Sequence, residues 1–164
     1  MERKLRGPVP PEDLRRYLLL ARAETFDQKP SSILLLPQTY FLRHSSGSFH
    51  YRVILFGGRR AWRSQKVEAM TLGDRLVWHG FTHESIMFKR LHGLEEQFFE
   101  FRESVLKEHP EARLDQTVKE ETSSWRYRCK GRGYIDDYRG VEIFRWRDQP
   151  IARGVFSGGL HTRY

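Results

Sequence analysis

Cationic and aromatic side chains are the residues of this sequence whose types and spacing indicate chemistry. A first group lies around two glycines, in residues 57–66 (GGRRAWRSQK). Glycines let backbone amides approach an anion, and arginines bind phosphate or carboxylate groups through two parallel hydrogen bonds. The segment therefore predicts an anion-binding loop, with Arg59, Arg60, Trp62 and Arg63 as candidate contacts. The alternative is a β-turn whose arginines are solvated.

A second group alternates along one predicted strand. The stripe of cations Arg126, Arg128, Lys130 and Arg132 lies beside Trp125, Tyr127 and Tyr134. Aromatic rings interleaved with cations are typical of sheet surfaces that stack nucleic-acid bases and bind phosphates. The alternative is a half-buried strand with its aromatic side chains inward and its cations in water.

Carboxylates and histidines suggest metal chemistry less strongly. Asp136, Asp137 and Glu142 could hold a divalent ion for a hydrolase or nuclease, but aspartates are also common turn residues. His79 and His83 have a metal-binding spacing, yet they are predicted to straddle a strand end and a helix start. We therefore treat a metal site as a third hypothesis.

No sequence motif of an enzyme family is visible. A nucleophile elbow, a Walker loop and a Rossmann glycine pattern are all missing. The one cysteine, Cys129, excludes an intrachain disulfide and falls on the inward period of a strand, which predicts burial as a small apolar side chain. We expect a non-enzymatic protein without a cofactor.

The bulk composition indicates one folded domain with anionic partners. The 164 residues include 38% hydrophobic and 13% aromatic residues, which is enough for a packed core. The formal net charge of +8 favours nucleic acid, phosphate or other anions, although it also favours simple solubility. Residues 7–11 (GPVPP) follow the basic start instead of an apolar stretch, and no apolar run could span a bilayer. We expect a cytoplasmic protein.

The periodicity of apolar residues predicts two helices and several antiparallel strands. The first helix is predicted over residues 11–26, and the second begins at Thr82 and ends near Glu108. The apolar stripe of the second helix is either a core face or the seam of a homodimer. Strands are predicted at 31–36, 39–44, 49–55, 62–72, 75–81, 125–131, 138–147 and 151–156, with an edge strand or loop within 113–123.

An internal repeat organises these elements. Residues 49–53 (FHYRV) read like residues 125–129 (WRYRC), and a shift of 76 positions also places Gly57 on Gly133 and Trp62 on Tyr138. The chain is therefore interpreted as a single domain, 1–164, made of pseudo-repeats 10–81 and 82–159 with a tail at 160–164. The predicted fold is α+β. Each repeat is a helix followed by a three- to four-stranded antiparallel meander, with sheets wrapping the helices.

A seam between two similar halves is a natural place for a ligand. Trp62, Trp78, Trp125 and Tyr138 are candidates to line an apolar pocket there, because ligand sites combine aromatic side chains with few polar groups. The same four side chains would serve equally well as core. The arginines and Lys130 named above would then supply the charge contacts.

The closing segments resemble a known family. Residues 138–144 (YRGVEIF) and 155–160 (VFSGGL) resemble the closing hairpin of a bacterial family, domain of unknown function 5680. Residues 14–26 resemble its opening helix, and residues 56–58 (FGG) with Val77 and Trp78 resemble its first hairpin. Members are often attached to helix-turn-helix regulators, so the resemblance implies a sensing or binding module.

Three functions are therefore expected, in decreasing order of support. The first is a non-enzymatic binding domain for an anionic or aromatic small ligand at the seam of the two pseudo-repeats. The second is a basic nucleic-acid-binding or protein-inhibiting accessory factor. The third is a metal-dependent hydrolase or nuclease.

Overall fold

The structure, a computed structural model, describes residues 9–33, 36–57, 60, 61 and 63–161. Two helices and nine strands follow one another along this part of the chain, with a short 3₁₀ helix at Phe88–Arg90 before the second α-helix. The elements are α1 (Pro11–Phe26), β1 (Ser31–Ser32), β2 (Thr39–Ser46), β3 (Phe49–Phe56), β4 (Arg63–Leu72), β5 (Arg75–Ile86), α2 (Glu95–Glu108), β6 (Thr117–Glu121), β7 (Trp125–Tyr134), β8 (Asp137–Trp146) and β9 (Gln149–Leu160).

All nine strands belong to one antiparallel sheet, in the order β1-β2-β3-β4-β5-β9-β8-β7-β6. Within each half, the strands pair in chain order as a meander. The halves meet where β5 pairs with β9 over a register that runs from Trp78 opposite Leu160 to Ile86 opposite Ala152. Each of these two strands would otherwise be an unpaired sheet edge, so their pairing satisfies both sets of backbone groups.

The predicted fold class is therefore wrong in its architecture. The strands do not form two separate meanders that each wrap a helix. They form a single nine-stranded sheet, and both helices pack on the same face, which is called here the inner face. The error arises at Thr82, which is predicted to begin the second helix but lies within β5. Residues 82–86 extend β5 and pair with β9, and α2 begins only at Glu95.

Other local predictions are confirmed. The first helix spans the predicted residues, with a proline in its first turn and acidic side chains beside its N-terminus. Alternating burial along β3 and β7 matches the predicted strand period. Neither described helix is long and apolar enough to cross a membrane.

The core lies between the inner face and the helices. Leu14 and Leu18 of α1 are fully buried. The apolar stripe of α2 is a core face, because Phe98 is also fully buried and lies 5.8 Å from the ring of Trp125 and 5.6 Å from that of Phe144. This burial accounts for the stripe without the dimer seam that was its alternative.

A candidate anion-binding site under the two helices

A cluster of buried charges lies on the inner face, within the core. Its charged members come from three strands (β4, β5 and β8), both helices and the segment 109–116, which connects α2 to β6. Strand alternation turns its strand residues toward the helices. The least exposed members are the acids Glu68, Glu84 and Glu142, at 1–2% exposure, and the bases Arg22, Arg102 and Arg113, at 6–8%.

The first part of the cluster is centred on Glu68 of β4. Arg22 of α1 donates two parallel hydrogen bonds to this carboxylate, from Nε at 2.8 Å and from Nη2 at 2.7 Å. The hydroxyl of Tyr51 donates a third hydrogen bond, and Lys66 Nζ lies 3.1 Å from Oε2. Arg22 Nη1 donates to the carbonyls of Pro110 and Ala112, so α1, the sheet and the connecting segment are held together at this point.

The second part is centred on Arg113, which bridges two carboxylates. Its guanidinium contacts Glu84 through Nη2, and its Nε donates to Glu142 Oε2 at 2.9 Å. Oε1 of Glu142 lies 2.6 Å from Nη2 as an ion-pair contact without the alignment of a hydrogen bond. Arg102 of α2 donates a bidentate pair to Glu84, at 2.7 and 3.0 Å, and Tyr127 donates to Glu142 at 3.0 Å.

Arg113 is held in a backbone conformation that few side chains adopt. Its φ is +65°, in the left-handed region, which costs of order 1–3 kcal/mol for a non-glycine residue. Its ion pairs offset this cost, and its backbone N–H donates to Cys129 Sγ at 3.3 Å. Cys129 is fully buried, as predicted, and has no disulfide partner.

Sequence reasoning missed this cluster because the predicted repeat does not match the two strand registers. The shift of 76 places Val53 on Cys129 but Lys66 on Glu142. The strand registers instead pair Val53 with Glu68 and Cys129 with Glu142, so the two glutamates occupy corresponding positions. The chain from Cys129 to Glu142 is two residues shorter than the chain from Val53 to Glu68. A shift of 76 positions therefore cannot match both the first strand and the second strand of the two hairpins. The sequence signal that could have shown the cluster is a glutamate at an inward-facing position of each strand, Glu68 on β4 and Glu142 on β8.

A missing side chain on β9 makes room for the second glutamate. Gly154 lies directly opposite Glu142 on the neighbouring strand. A Cβ at Gly154 would lie 2.3 Å from Glu142 Oε1 and 2.7 Å from its Cγ, so any larger residue would displace the carboxylate from Arg113.

The cluster shifts the pKa values of its members in opposite directions. Burial alone raises the pKa of Glu68, but Arg22 and Lys66 outweigh burial and hold the pKa well below its usual range. The pKa of Glu84 is lowered to about 2, because Arg102 and Arg113 outweigh the effect of burial. Burial lowers the pKa of Lys66 to about 8 in spite of Glu68. Both carboxylates are therefore ionised near neutral pH.

A cavity of about 120 Å³ opens beside the cluster, between α1, α2, the connecting segment and strands β2–β5. A water molecule occupies roughly 30 Å³ in the liquid, so the space holds several waters or a small organic group. The lining includes the cations Arg22, Lys66, Arg102 and Arg113 and one carboxylate, Glu103, which pairs with Arg60. It also includes the polar side chains Ser64, Thr25, Tyr51, Thr82 and His109 and the apolar side chains Phe26, Leu42, Val53, Leu55 and Leu106.

His109, at the cavity wall, has a carboxylate at each ring nitrogen. Nδ1 lies 3.1 Å from Glu111 Oε1, and Nε2 lies 3.1 Å from Glu120 Oε2. Burial lowers the pKa of this imidazole, but the two carboxylates outweigh burial and raise it. Both ring nitrogens then donate as an imidazolium.

This arrangement predicts a pH-dependent contribution to stability. Folding raises the pKa of His109. Its ion pairs therefore stabilise the native state fully below the unfolded pKa of about 6.5, and this stabilisation is lost as pH rises through the folded pKa. We expect a loss of at most about 1 kcal/mol, since the site is partly exposed. Urea denaturation at pH 5.5 and 8 will show this loss in the native chain and not in His109→Gln. An equal loss in both proteins would contradict it.

The sequence-predicted cations do not converge on the cavity. Arg60 is exposed and binds Glu96 and Glu103 of α2. The others lie on the opposite, outer face of the sheet, where Arg63 belongs to β4 and Arg126, Arg128 and Lys130 belong to β7. Arg59 and Trp62 lie outside the described residues.

The three sequence-predicted aromatic side chains that the structure describes are core residues. Trp125 packs against the ring of Phe101 at 5.9 Å. Trp78 and Tyr138 are buried on the inner face, with parallel rings at a centroid distance of 6.4 Å, and neither lines the cavity. Trp125 and Tyr127 of β7 therefore face the helices, whereas Tyr134 and the cations of this strand are exposed.

The sequence-predicted metal ligands are not brought together. Asp136 is exposed in the turn before β8 and Asp137 is exposed at the first position of that strand, whereas Glu142 is bound by Arg113 in the core. His79 and His83 both lie on β5. Among the described residues, the one group of three or more His, Cys, Asp or Glu side chains with ligand atoms within 4.8 Å of one another is Glu108, His109 and Glu120.

Comparisons with known proteins add no relative: no family model, no curated protein and no solved structure matched the chain. The resemblance to domain of unknown function 5680 therefore stays a prediction.

Proposed function

We propose that this chain is a non-catalytic binding domain that holds a small anion, carrying a carboxylate or phosphate group, in the cavity under its two helices. The observation that carries the proposal is the excess of positive charge around an accessible space. Arg22, Lys66, Arg102 and Arg113 all line this space. The dielectric constant inside the cavity is lower than that of water. The attraction between a bound anion and these cations is therefore stronger there than in water.

The charges of the cluster do not balance without a ligand. Four cations, with Lys66 included, face three glutamates, so one positive charge is left over. Uncompensated buried charge is costly, and the lowered pKa of Lys66 is one expression of that cost. A bound anion would compensate the charge and raise the Lys66 pKa toward its usual value.

Lys66 is the side chain best placed to contact the ligand. Arg22 already donates to Glu68 and to two backbone carbonyls, so it is committed to the architecture. Lys66 has one described ion-pair partner, Glu68, and its side chain keeps 22% exposure where it lines the cavity. An ammonium group has three donors, so the Lys66 amine can bind an anion while it keeps Glu68.

A thermal-shift screen tests this proposal. The probes are inorganic phosphate, acetate, citrate and glycerol 3-phosphate, each titrated against the full chain at pH 7. At a hundredfold excess over its Kd, a ligand stabilises the native state by about 2.7 kcal/mol. For a domain of this size we expect a rise in Tm of roughly 5–11 °C. Calorimetry then gives the stoichiometry, which should be one.

The matched variants are Lys66→Met and Lys130→Met. Lys66 lines the cavity, whereas Lys130 is exposed on the outer face. We expect Lys66→Met to fold, since it removes the excess charge, and to lose at least about tenfold in ligand affinity. Lys130→Met should bind as the native chain does. Equal binding by both variants, or a native chain that none of the four anions stabilises, would refute the cavity site.

A further inference from the structure

The outer face of the sheet is a second surface without a structural partner among the described elements. Both helices pack on the inner face, so the outer side chains of the central strands meet solvent. Phe81, Val67, Val141 and Val155 are 36–56% exposed. They lie in neighbouring strands, because Val67 is opposite Phe81 and Val141 is opposite Val155. Contiguous exposed apolar side chains on a folded domain commonly mark an interaction site.

Exposed cations surround and interrupt this apolar area. Arg126 also lies on this face, but Glu121 and Asp148 bind it and neutralise its charge. No described carboxylate lies within ion-pair distance of the remaining cations of β6–β9. These are Lys119, Arg128, Lys130, Arg132, Arg139, Arg145 and Arg153, of which Arg145 donates to the backbone carbonyl of Asp148.

The strand registers set some of these cations directly opposite one another. Lys119 pairs with Arg128, and Arg132 pairs with Arg139. Like charges at directly opposite positions destabilise a sheet. A face that keeps such pairs without a described counter-charge is suited to a partner with several negative charges. The helix side differs, because α2 carries five glutamates against one arginine and one lysine.

We propose that the outer face of β7, β8, β9 and β5 binds single-stranded nucleic acid. Alternate residues of a strand lie roughly 6.7 Å apart on one face, so Arg128, Lys130 and Arg132 form a regular row of cations that can follow a phosphate backbone. Phe81 lies two strands away from Arg139, at roughly 10 Å, where an unstacked base can rest on its ring.

The mixing of apolar and cationic side chains favours a single strand over other anionic partners. Lys130 is followed across the sheet by Val141 and Val155, and Arg128 by Ile143 and Arg153. A single strand of nucleic acid likewise presents apolar base faces next to charged phosphates. A duplex would offer phosphates alone to this face and leave its apolar side chains uncovered. A lipid surface would require the apolar side chains to enter the membrane ahead of the cations.

Fluorescence polarisation with labelled 15-nucleotide single-stranded DNA and RNA tests the proposal, with the corresponding duplex and anionic phospholipid vesicles as competitors. We expect a Kd of about 1–100 µM near physiological salt. Five phosphate contacts correspond to a slope of about −3.5 in a plot of log K against log salt, or about 100-fold between 50 and 200 mM.

The variants separate this surface from the rest of the protein. Lys130→Gln/Arg139→Gln should reduce the slope to about −2.1, because two phosphate contacts are removed. Phe81→Ala should weaken binding at least about fivefold, as expected for a lost base stack. Arg16→Gln/Lys107→Gln removes the same charge from the helices and should change neither value. Lys66→Met should also bind normally, so failure here is distinct from failure of the cavity proposal.

Salt-sensitive single-strand binding that is reduced by the outer-face variants, and kept by the helix variants, supports the proposal. Absent binding at 50 mM salt would overturn it, and so would equal losses in both double variants. Displacement of the oligonucleotide by duplex or by vesicles at lower concentrations than by unlabelled single strand would assign the face to those partners instead.

Discussion

Replacement of Glu68 by alanine is expected to destabilise the protein by about 3–5 kcal/mol, because it leaves Arg22 and Lys66 buried without their counter-charge. The hydroxyl of Tyr51 also loses its acceptor. Urea denaturation of the full chain at pH 7 measures this change as a lower midpoint at an unchanged slope.

An exposed ion pair supplies the matched control. Glu96 on α2 binds Arg60 at 2.9 Å, a distance close to that between Arg22 and Glu68, but both partners are exposed to solvent. Glu96→Ala should change the free energy of unfolding by less than about 1 kcal/mol. Similar losses from Glu68→Ala and Glu96→Ala would mean that the inner cluster contributes no more than a surface ion pair.

A double-mutant cycle separates the ion pair from the effect of the lost volume. We expect the losses from Arg22→Ala and Glu68→Ala to be non-additive, with a coupling of at least about 1 kcal/mol, because each change removes the same contact. Additive losses would show that packing, and not charge, determines the effect.

Replacement of Phe98 by alanine is expected to cost about 3–5 kcal/mol, the range for truncating a buried aromatic side chain. Phe98 is fully buried, and its ring contacts Phe99, Trp125 and Phe144. The cavity left behind would loosen α2, which also carries Arg102 of the proposed anion site. We therefore expect a lower urea midpoint together with weaker anion binding.

Leu20 on α1 is the control for this truncation, because it is also an apolar helix residue but is 46% exposed. Leu20→Ala should lie within about 0.5 kcal/mol of the native chain, since surface substitutions rarely cost more. A loss below about 1 kcal/mol for Phe98→Ala would contradict the central position of this ring in the core.

The helices were only partly predictable from local patterns. α1 is marked by Pro11 and by apolar residues at helical spacing, and these signals act within one turn of the chain. The local pattern predicts the start of α2 at Thr82, because threonine is a common helix cap. In the structure, Thr82 pairs with Phe156 of the distant strand β9, so a tertiary contact overrides the local preference.

The candidate site was hidden from sequence reasoning for a different reason. Glutamates and arginines are usually exposed, so Glu68, Glu84 and Arg102 were not considered as core residues. Each is buried because its counter-charge comes from another part of the chain, as Glu84 shows by binding Arg102 and Arg113. No local spacing reports such a pairing.

The sequence by itself determined the alternation of the strands, the first helix, the burial of Cys129 and the apolar face of α2, because periodicity and turn residues act over short distances. The tertiary structure alone decided that β5 and β9 join the halves into one sheet. It also decided that the arginines of the helix side meet the inward glutamates, while the cations of β7 face outward. These outcomes depend on the long-range register of the strands, which sets the face on which every charge lies.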